Sequence, residues 1–195
     1  MQTMRQAGCS RTVIRSLNRM TRHESFVPLP LKQICILLAE DHAHFRKSLK
    51  VLVELEEDIK VVGEAKNGIQ AVELNEKLHP DVVVMDIAMP LLNGLQATRQ
   101  IIETSPATKV LILSSHADPE YIRQAMILGA SGYLIKQSSA PVLASAIREV
   151  MNGKTYFSAS IPKQLRDECQ KVFNRGELLK KKVLRPPLSD NTHKS

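Results

Sequence analysis

The sequence has few features that would place it in a membrane, outside the cell or around a structural metal. No segment approaches the roughly 18 consecutive uncharged apolar residues that a membrane-spanning helix requires. The N-terminus lacks a positive stretch followed by an apolar core and a small-residue cleavage site. The three cysteines, Cys9, Cys35 and Cys169, are far apart, odd in number and without metal-ligand spacing. We therefore predict a soluble, cytoplasmic protein with free thiols and no membrane association.

Acidic residues are scarce at both ends of the chain. Residues 1–32 carry six basic side chains and one acidic one, and residues 163–195 carry nine basic and four acidic ones. Residues 33–162 carry 12 basic and 15 acidic side chains, so the net charge of +7 arises from the ends. Basic tails can bind phosphate backbones without sequence preference, but they are more often simply solvated. We therefore do not expect DNA binding from this chain alone.

Short apolar runs alternate with helical patterns from Ile34 to Gly153. The runs are uncharged, as expected for strands buried on both faces, and they cover residues 34–38, 61–62, 82–85, 110–113 and 133–135. Apolar residues at helical spacing follow each run, and Asp118 with Pro119 predicts the capped start of the fourth helix. Five rounds of strand and helix predict an α/β fold with a doubly wound, flavodoxin-like parallel sheet. Its five strands would have the order 2-1-3-4-5, with helices on both faces.

These patterns divide the chain into four parts. We assign residues 33–153 to the α/β domain and residues 154–182 to a linker helix. Residues 1–32 are predicted to be a basic, disordered N-terminal extension, although their Arg- and Ser-rich, acid-poor composition also resembles an organelle transit peptide. Residues 183–195, which follow a Lys run and include Pro186-Pro187, are predicted to be a disordered tail.

Chemically suited side chains follow four of the predicted strands. Strand one leads into Glu40-Asp41, strand three into Asp86, strand four into Ser114 and strand five into Lys136. Ligands of doubly wound sheets bind outside the carboxyl ends of the strands, so these side chains should converge. Clustered carboxylates favour a hard cation, and Mg²⁺ fits this donor set. A carboxylate beside Mg²⁺ and a lysine is suited to nucleophilic attack on phosphorus.

The segment 34–151 resembles a receiver domain of the bacterial two-component response-regulator family. The resemblance runs through Glu40-Asp41, Asp86-Ile87-Ala88-Met89-Pro90 with Gly94, Ser114, and residues 129–136. The residues of the fourth and fifth predicted strands are also similar to those of the subgroup that usually carries a LuxR-type helix-turn-helix output. Gln137 departs from the family pattern, since many receivers have proline after the lysine.

The resemblance implies a role for each site residue. Asp86 would accept the phosphoryl group, and Ser114 and Lys136 would bind its oxygens. Asp41, Asp86 and the backbone carbonyl of Ala88 would hold Mg²⁺, with Glu40 contributing through a water. Tyr133 would change position together with Ser114 as the switch. His116 could tune the access of water to the aspartyl phosphate, although a surface loop role is the more common one for such a residue.

The resemblance also implies partners and an output. The phosphodonor would be a histidine kinase or a small phosphodonor, and the chain would catalyse only its own phosphorylation and dephosphorylation. Signal output would be a protein contact, including a homodimer through the fourth helix, fifth strand and fifth helix. Alternatively, the chain is a transcription regulator whose DNA-binding domain is missing, because 13 residues after position 182 cannot form a helix-turn-helix. An aspartyl-phosphate hydrolase would need a second Asp where Ala88 stands, so we exclude that class.

Overall fold

A computed structural model of the chain describes residues 33–183, with side chains through residue 176. Its strands are β1 (Ile34–Ala39), β2 (Ile59–Ala65), β3 (Val82–Met85), β4 (Lys109–Ser114), β5 (Gly132–Ile135) and β6 (Tyr156–Phe157). Its helices are α1 (Ala43–Glu54), α2 (Gly68–Leu78), α3 (Gly94–Thr104), α4 (Pro119–Ile127), α5 (Leu143–Met151) and α6 (Lys163–Val183), and a 3₁₀ turn covers Lys136–Ser138. The predictions for residues 1–32 and 184–195 lie outside the described residues.

The strands form one parallel sheet in the order β2-β1-β3-β4-β5-β6. The predicted α/β class and the order 2-1-3-4-5 are confirmed for the first five strands. The predicted number of five strands is wrong, because β6 pairs with the outer edge of β5. This strand has only two residues, Tyr156 and Phe157, and both are partly buried. It is too short to form an apolar run from which the sequence could predict it.

Alternate strand residues point to opposite faces of the sheet, and each face has its own apolar core. Leu37 of β1 and Ile112 of β4 belong to the core under α2, α3, α4 and α6. Leu38 of β1 and Leu113 of β4 belong to the core under α1 and α5. The central strands are buried on both faces, which explains why they read as continuous apolar runs.

Polar residues cap three of the helices. The Asn67 and Asn93 side chains accept hydrogen bonds from the backbone of Gln70 and Gln96, each at 2.9 Å, and so begin α2 and α3. Asp118 caps α4 by accepting from the Glu120 N–H at 2.7 Å, with Pro119 at the first position of the helix. This cap was predicted from the sequence and is confirmed.

The helix predicted as a linker packs on the domain. Within residues 154–182, helix α6 begins at Lys163, and one side of the segment enters the core through Ile161, Leu165, Cys169 and Phe173. An ion pair at 3.6 Å joins Arg123 of α4 to Glu168 of α6. The predicted dimer face of α4, β5 and α5 is therefore partly covered by the chain itself, because β6 takes the edge of β5 and α6 packs on α4.

One arginine connects α5 to the segment that precedes β2. The Arg148 guanidinium of α5 donates to Asp58 at 2.8 Å and also pairs with Glu56 in the turn after α1. The hydrogen bond from Arg148 lowers the pKa of the Asp58 carboxyl from its ordinary value. These two contacts of Arg148 hold the end of α5 close to the start of β2.

The helices are short or strongly polar. The longest, α6, has 21 residues and carries charged side chains along its sequence. Within residues 33–183, no helix combines the length and apolar character needed to cross a membrane.

Candidate functional site

The predicted site residues lie at one edge of the sheet, where the parallel strands end. Glu40 and Asp41 follow β1, Asp86 follows β3, Ser114 ends β4 and Lys136 follows β5. The parallel register keeps these ends level, since Ala39 pairs with Met85 and Met85 with Ile112. The Asp86 N–H donates to the Ala39 carbonyl at 2.8 Å, which fixes the aspartate directly beside the acidic pair.

Lys136 joins two of the three acids. Its Nζ lies 2.8 Å from Glu40 Oε2 and 2.9 Å from Asp86 Oδ2. Both carboxylates are only 2% exposed. Burial by itself would lower the pKa of Lys136, but hydrogen bonds and attraction from Asp86 and Glu40 outweigh it and raise that pKa. The side chain is therefore a fixed positive charge at neutral pH. The Phe45 ring centroid lies 5.1 Å from Nζ, within the range of a cation–π contact.

The carboxylates outnumber this ammonium. Glu40 Oε2, Asp41 Oδ1 and Asp86 Oδ2 are buried, and apart from the Lys136 and His42 contacts they meet no donor among residues 33–176. Asp41 Oδ1 is 2.7 Å from Nδ1 of the exposed His42, and Asp41 raises the pKa of that imidazole. Each of these oxygens therefore has one cationic neighbour and lone pairs to spare, and clustered carboxylate oxygens of this kind are the ligands that a hard divalent cation prefers.

Two glycines hold the loop that carries Asp86 and Ala88. The Gly94 N–H donates to the Ile87 carbonyl at 2.9 Å, and a Cβ at Gly94 would lie 1.9 Å from the Asp86 carbonyl oxygen. The Gly68 N–H donates to the Leu92 carbonyl at 3.1 Å, where a Cβ would also collide. The start of α3 can therefore approach the backbone of Asp86 only because position 94 has no side chain.

Ser114 and Tyr133 hold the same residue of the loop between β4 and α4. The His116 N–H donates to Ser114 Oγ at 3.1 Å, and the Tyr133 hydroxyl donates to the His116 carbonyl at 2.8 Å. Tyr133 is fully buried, and burial raises its pKa to about 12. A new acceptor at Asp86 would attract the hydrogen of the Ser114 hydroxyl, and a shift of this hydroxyl would alter its bond from the His116 N–H in the loop.

Sequence reasoning missed two neighbours of the site and left a third open. His42 forms a carboxylate–imidazole cluster with Glu40 and Asp41 whose candidate ligand atoms lie within 4.8 Å of one another. Its position directly after the acidic pair was the available signal. Phe45 lies at helical spacing with the apolar residues of α1, and this pattern alone does not indicate its contact with Lys136. The His116 ring is exposed and stacks on Tyr121 with the ring centroids 4.9 Å apart, as expected for a loop residue.

Comparison with known proteins agrees with this geometry. The family model of the response regulator receiver domain matches residues 36–148. The transcriptional regulatory protein DegU of Brevibacillus brevis is 39% identical over 74% of this chain and 61% of its own length. DesR of Bacillus subtilis is 39% identical over 73% of this chain and 70% of its own length. The chain thus spans about three-fifths of DegU and somewhat more of DesR.

Solved structures give the same result for the fold. A LuxR-family two-component response regulator from Aurantimonas sp. SI85-9A1 superimposes with a TM-score of 0.66 at 32% identity. That match covers 70% of this chain and 97% of the solved one. The receiver domain of a NarL response regulator from Mycobacterium tuberculosis gives a TM-score of 0.61 at 31% identity, with 63% and 99% covered. The chain therefore belongs to the family of response regulator receiver domains.

Proposed function

We propose that this receiver domain accepts a phosphoryl group on Asp86 and uses it to switch a protein–protein contact in signal transduction. The observation that carries the proposal is the contact of Lys136 with the buried Asp86 carboxylate at 2.9 Å. Other buried acid oxygens with few hydrogen-bond donors lie beside this contact. A buried nucleophile with a fixed positive charge next to it can stabilise the oxygens of a transferring phosphoryl group.

In the proposed reaction an Asp86 carboxylate oxygen attacks the phosphorus of the donor. The new O–P bond forms as the P–N bond of a kinase phosphohistidine breaks and its imidazole takes up a proton. With acetyl phosphate the P–O bond breaks and acetate leaves. Lys136 shifts from the free carboxylate to a phosphoryl oxygen, and the Ser114 hydroxyl, which accepts from His116, donates its own hydrogen to another. Water later attacks the phosphorus, the O–P bond to Asp86 breaks, and inorganic phosphate leaves the free carboxylate behind. In this proposal the chain catalyses only these steps on itself.

Asp41, Asp86 and the Ala88 carbonyl are the residues we propose to hold Mg²⁺, with Glu40 contributing through a water. The donor-poor oxygens of Asp41 and Asp86 support this set, and so does the Ala88 carbonyl, which accepts no backbone hydrogen bond within the described loop. When bound, the ion would neutralise charge on the transferring oxygens. We place this chemistry in the cytoplasm, where histidine kinases present their phosphohistidine.

The output we propose starts at the loop between β4 and α4. Phosphorylation adds negative charge and acceptor oxygens beside Ser114, which shares His116 with Tyr133. Because α4 follows this loop and packs on α6, both helices lie on the responding surface. A homodimer through α4, β5 and α5 would have to accommodate β6 and α6, or displace them.

Transcription regulation is a second candidate, and the names of the relatives support it. DegU and DesR are described as transcriptional regulatory proteins, and the match covers only part of each. If this role holds, DNA binding resides in a part of those proteins outside the match. Gel-shift assays with the phosphorylated chain would show no specific complex under this proposal.

Intact-protein mass spectrometry after incubation with Mg²⁺ and acetyl phosphate tests the function. We expect a gain of one phosphoryl mass that disappears in Asp86→Asn and is lost when EDTA replaces Mg²⁺. Asp118→Asn is the matched control, because the asparagine can still cap α4. A wild-type chain that gains no mass, or an Asp86→Asn chain that gains as much as wild type, would contradict the proposal.

A further inference from the structure

A serine that does not contact the acidic residues is hydrogen-bonded to the end of β5. Ser158 directly follows β6 and is 2% exposed. Its N–H donates to the Tyr133 carbonyl at 3.0 Å, and its Oγ accepts from the Ile135 N–H at 2.8 Å. The residue thus contacts the backbone of the strand that carries both Tyr133 and, one residue beyond Ile135, Lys136.

The Ser158 hydroxyl supplies a hydrogen-bond acceptor at the point where β6 has ended. The pairing of β6 with β5 stops at Phe157, opposite Tyr133, so no backbone carbonyl of β6 pairs with Ile135. The Ser158 hydroxyl accepts this hydrogen bond instead, and both groups are buried. A buried N–H without an acceptor costs about 1–3 kcal/mol, so its loss would favour a shift of the strand end.

The backbone of Lys136 is held from both sides. On its C-terminal side, the Ser139 hydroxyl donates to the Lys136 carbonyl at 2.9 Å. On its N-terminal side, Ile135 is paired with Ser114 of β4 at one edge of β5 and bonded to Ser158 at the other. Between them, a long and flexible side chain reaches Glu40 and Asp86 at 2.8 and 2.9 Å. Because the lysine side chain has many rotatable bonds, the position of its ammonium depends on the position of the Lys136 backbone from which it extends.

We propose that Ser158 is a positioning residue for phosphoryl transfer: its hydroxyl fixes the end of β5 and thereby aims Lys136 at Asp86. This inference rests on the proposed function of Asp86. Ser158 touches neither the acid nor the phosphoryl group and acts through Lys136. The C-terminal segment accordingly contributes one positioning residue, Ser158, in addition to the apolar residues that it adds to the core.

A purely structural role for Ser158 predicts a different outcome. The segment is anchored by the apolar residues Ile161, Leu165, Cys169 and Phe173, and none of them depends on the hydroxyl. Ser158→Ala removes one oxygen and leaves these contacts in place. If Ser158 only supports the fold, the folded variant should transfer phosphoryl groups as fast as wild type. If it aims Lys136, the folded variant should be slow.

The experiment measures the rate of phosphorylation of the full chain by acetyl phosphate at saturating Mg²⁺, using intact-protein mass. We expect Ser158→Ala to lower the maximal rate roughly tenfold, with little change in the half-saturating donor concentration. Thr155→Val is the matched control, since it removes the hydrogen bond to Gln170 in the same segment without touching β5. Its maximal rate should equal that of wild type, and circular dichroism confirms that each variant is folded.

The outcomes separate this inference from the function on which it rests. Equal maximal rates in folded Ser158→Ala and wild type would overturn the role of Ser158 and leave Asp86 as the acceptor. A wild-type chain that takes up no phosphoryl group would overturn both. If Ser158→Ala does not fold, Ser158→Thr keeps the hydroxyl and should retain the wild-type rate. A roughly tenfold loss in folded Ser158→Thr would overturn the inference.

Discussion

At the scale of single residues, the acidic site holds more negative charge than its neighbours compensate. Glu40 and Asp86 share one ammonium, and the exposed His42 is the one cation that pairs with Asp41 among residues 33–176. Like charges that are close and buried repel one another strongly. The arrangement therefore costs stability in the absence of a cation, which is typical of sites maintained for function.

We expect Asp86→Asn to raise the free energy of unfolding by about 1 kcal/mol in metal-free buffer. The substitution removes one carboxylate charge, while Lys136 keeps its contact with Glu40 at 2.8 Å. Urea unfolding with EDTA present measures the change. Adding Mg²⁺ should stabilise wild type more than the variant, because only wild type offers the full ligand set. If Asp86→Asn has a lower free energy of unfolding than wild type in metal-free buffer, the acidic side chains do not destabilise the fold by repelling one another.

The second prediction at this scale concerns Tyr133 and pH. Burial raises the pKa of Tyr133 from 10.0 to about 12, so the folded state holds its proton more tightly than the unfolded state. The stability from the neutral phenol is complete below pH 10.0 and is lost as pH rises toward about 12. We expect unfolding by urea at about pH 9 and about pH 11.5 to show a steeper decline for wild type than for Tyr133→Phe.

Tyr121→Phe is the control for this titration. Tyr121 is partly exposed and stacks on His116, so its phenol has water available. The control should lose stability with rising pH as steeply as wild type does. Identical slopes in wild type and Tyr133→Phe would mean that the buried phenol does not titrate in this range.

At the scale of elements, the contact between α3 and the Asp86 loop depends on Gly94. A Cβ at this position would lie 1.9 Å from the Asp86 carbonyl oxygen, a backbone atom that cannot move without moving the acid. We expect Gly94→Ala to lower the free energy of unfolding by about 3 kcal/mol or more and to slow phosphorylation of the protein that remains folded. Thermal unfolding and intact mass measure the two effects.

Gly176→Ala is the matched glycine control. Gly176 lies in α6, and an added Cβ would meet no atom of another element within 4 Å in the described part of the chain. Alanine there should stabilise the helix by about 0.5–1 kcal/mol and leave phosphorylation unchanged. If Gly94→Ala behaves like Gly176→Ala, the close approach of α3 to Asp86 is not a constraint on the site.

Most elements could be predicted because their signals are local. Uncharged apolar runs indicated the first five strands, and Asp118-Pro119 indicated the start of α4. The site followed from topology, since parallel strands bring Glu40, Asp86 and Lys136 to one edge. β6 was missed because two residues carry no period, and its pairing depends on the free edge of β5.

At the scale of the whole molecule, the domain extends beyond the predicted boundary at residue 153. The apolar stripe of α6 was visible in the sequence, but periodicity does not identify the surface that a stripe covers. In the structure this stripe lies against α4 and the end of the sheet, where Ile122, Met126 and Tyr133 are buried in the same core. The segment assigned to a linker therefore completes the domain.

We expect a chain that ends at Gly153 to be at least about 2 kcal/mol less stable than one that ends at Val183. The deletion removes β6 and exposes the apolar surface that Ile161, Leu165 and Phe173 cover. Urea unfolding of both fragments, each beginning at residue 33, measures the difference. Equal stability would mean that residues 154–183 contribute little to the core, and the sequence-based boundary at 153 would then describe an independent domain.

The central claim is that Asp86 is the acceptor, and the most direct measurement locates the phosphoryl group on the chain. Borohydride reduces an aspartyl phosphate to homoserine, which marks the modified position permanently. The phosphorylated chain would be reduced, digested and mapped by tandem mass spectrometry. The account predicts homoserine at position 86 and unmodified aspartate at Asp41 and Asp81. Homoserine at Asp41, or a phosphorylated chain with no homoserine at position 86, would contradict it.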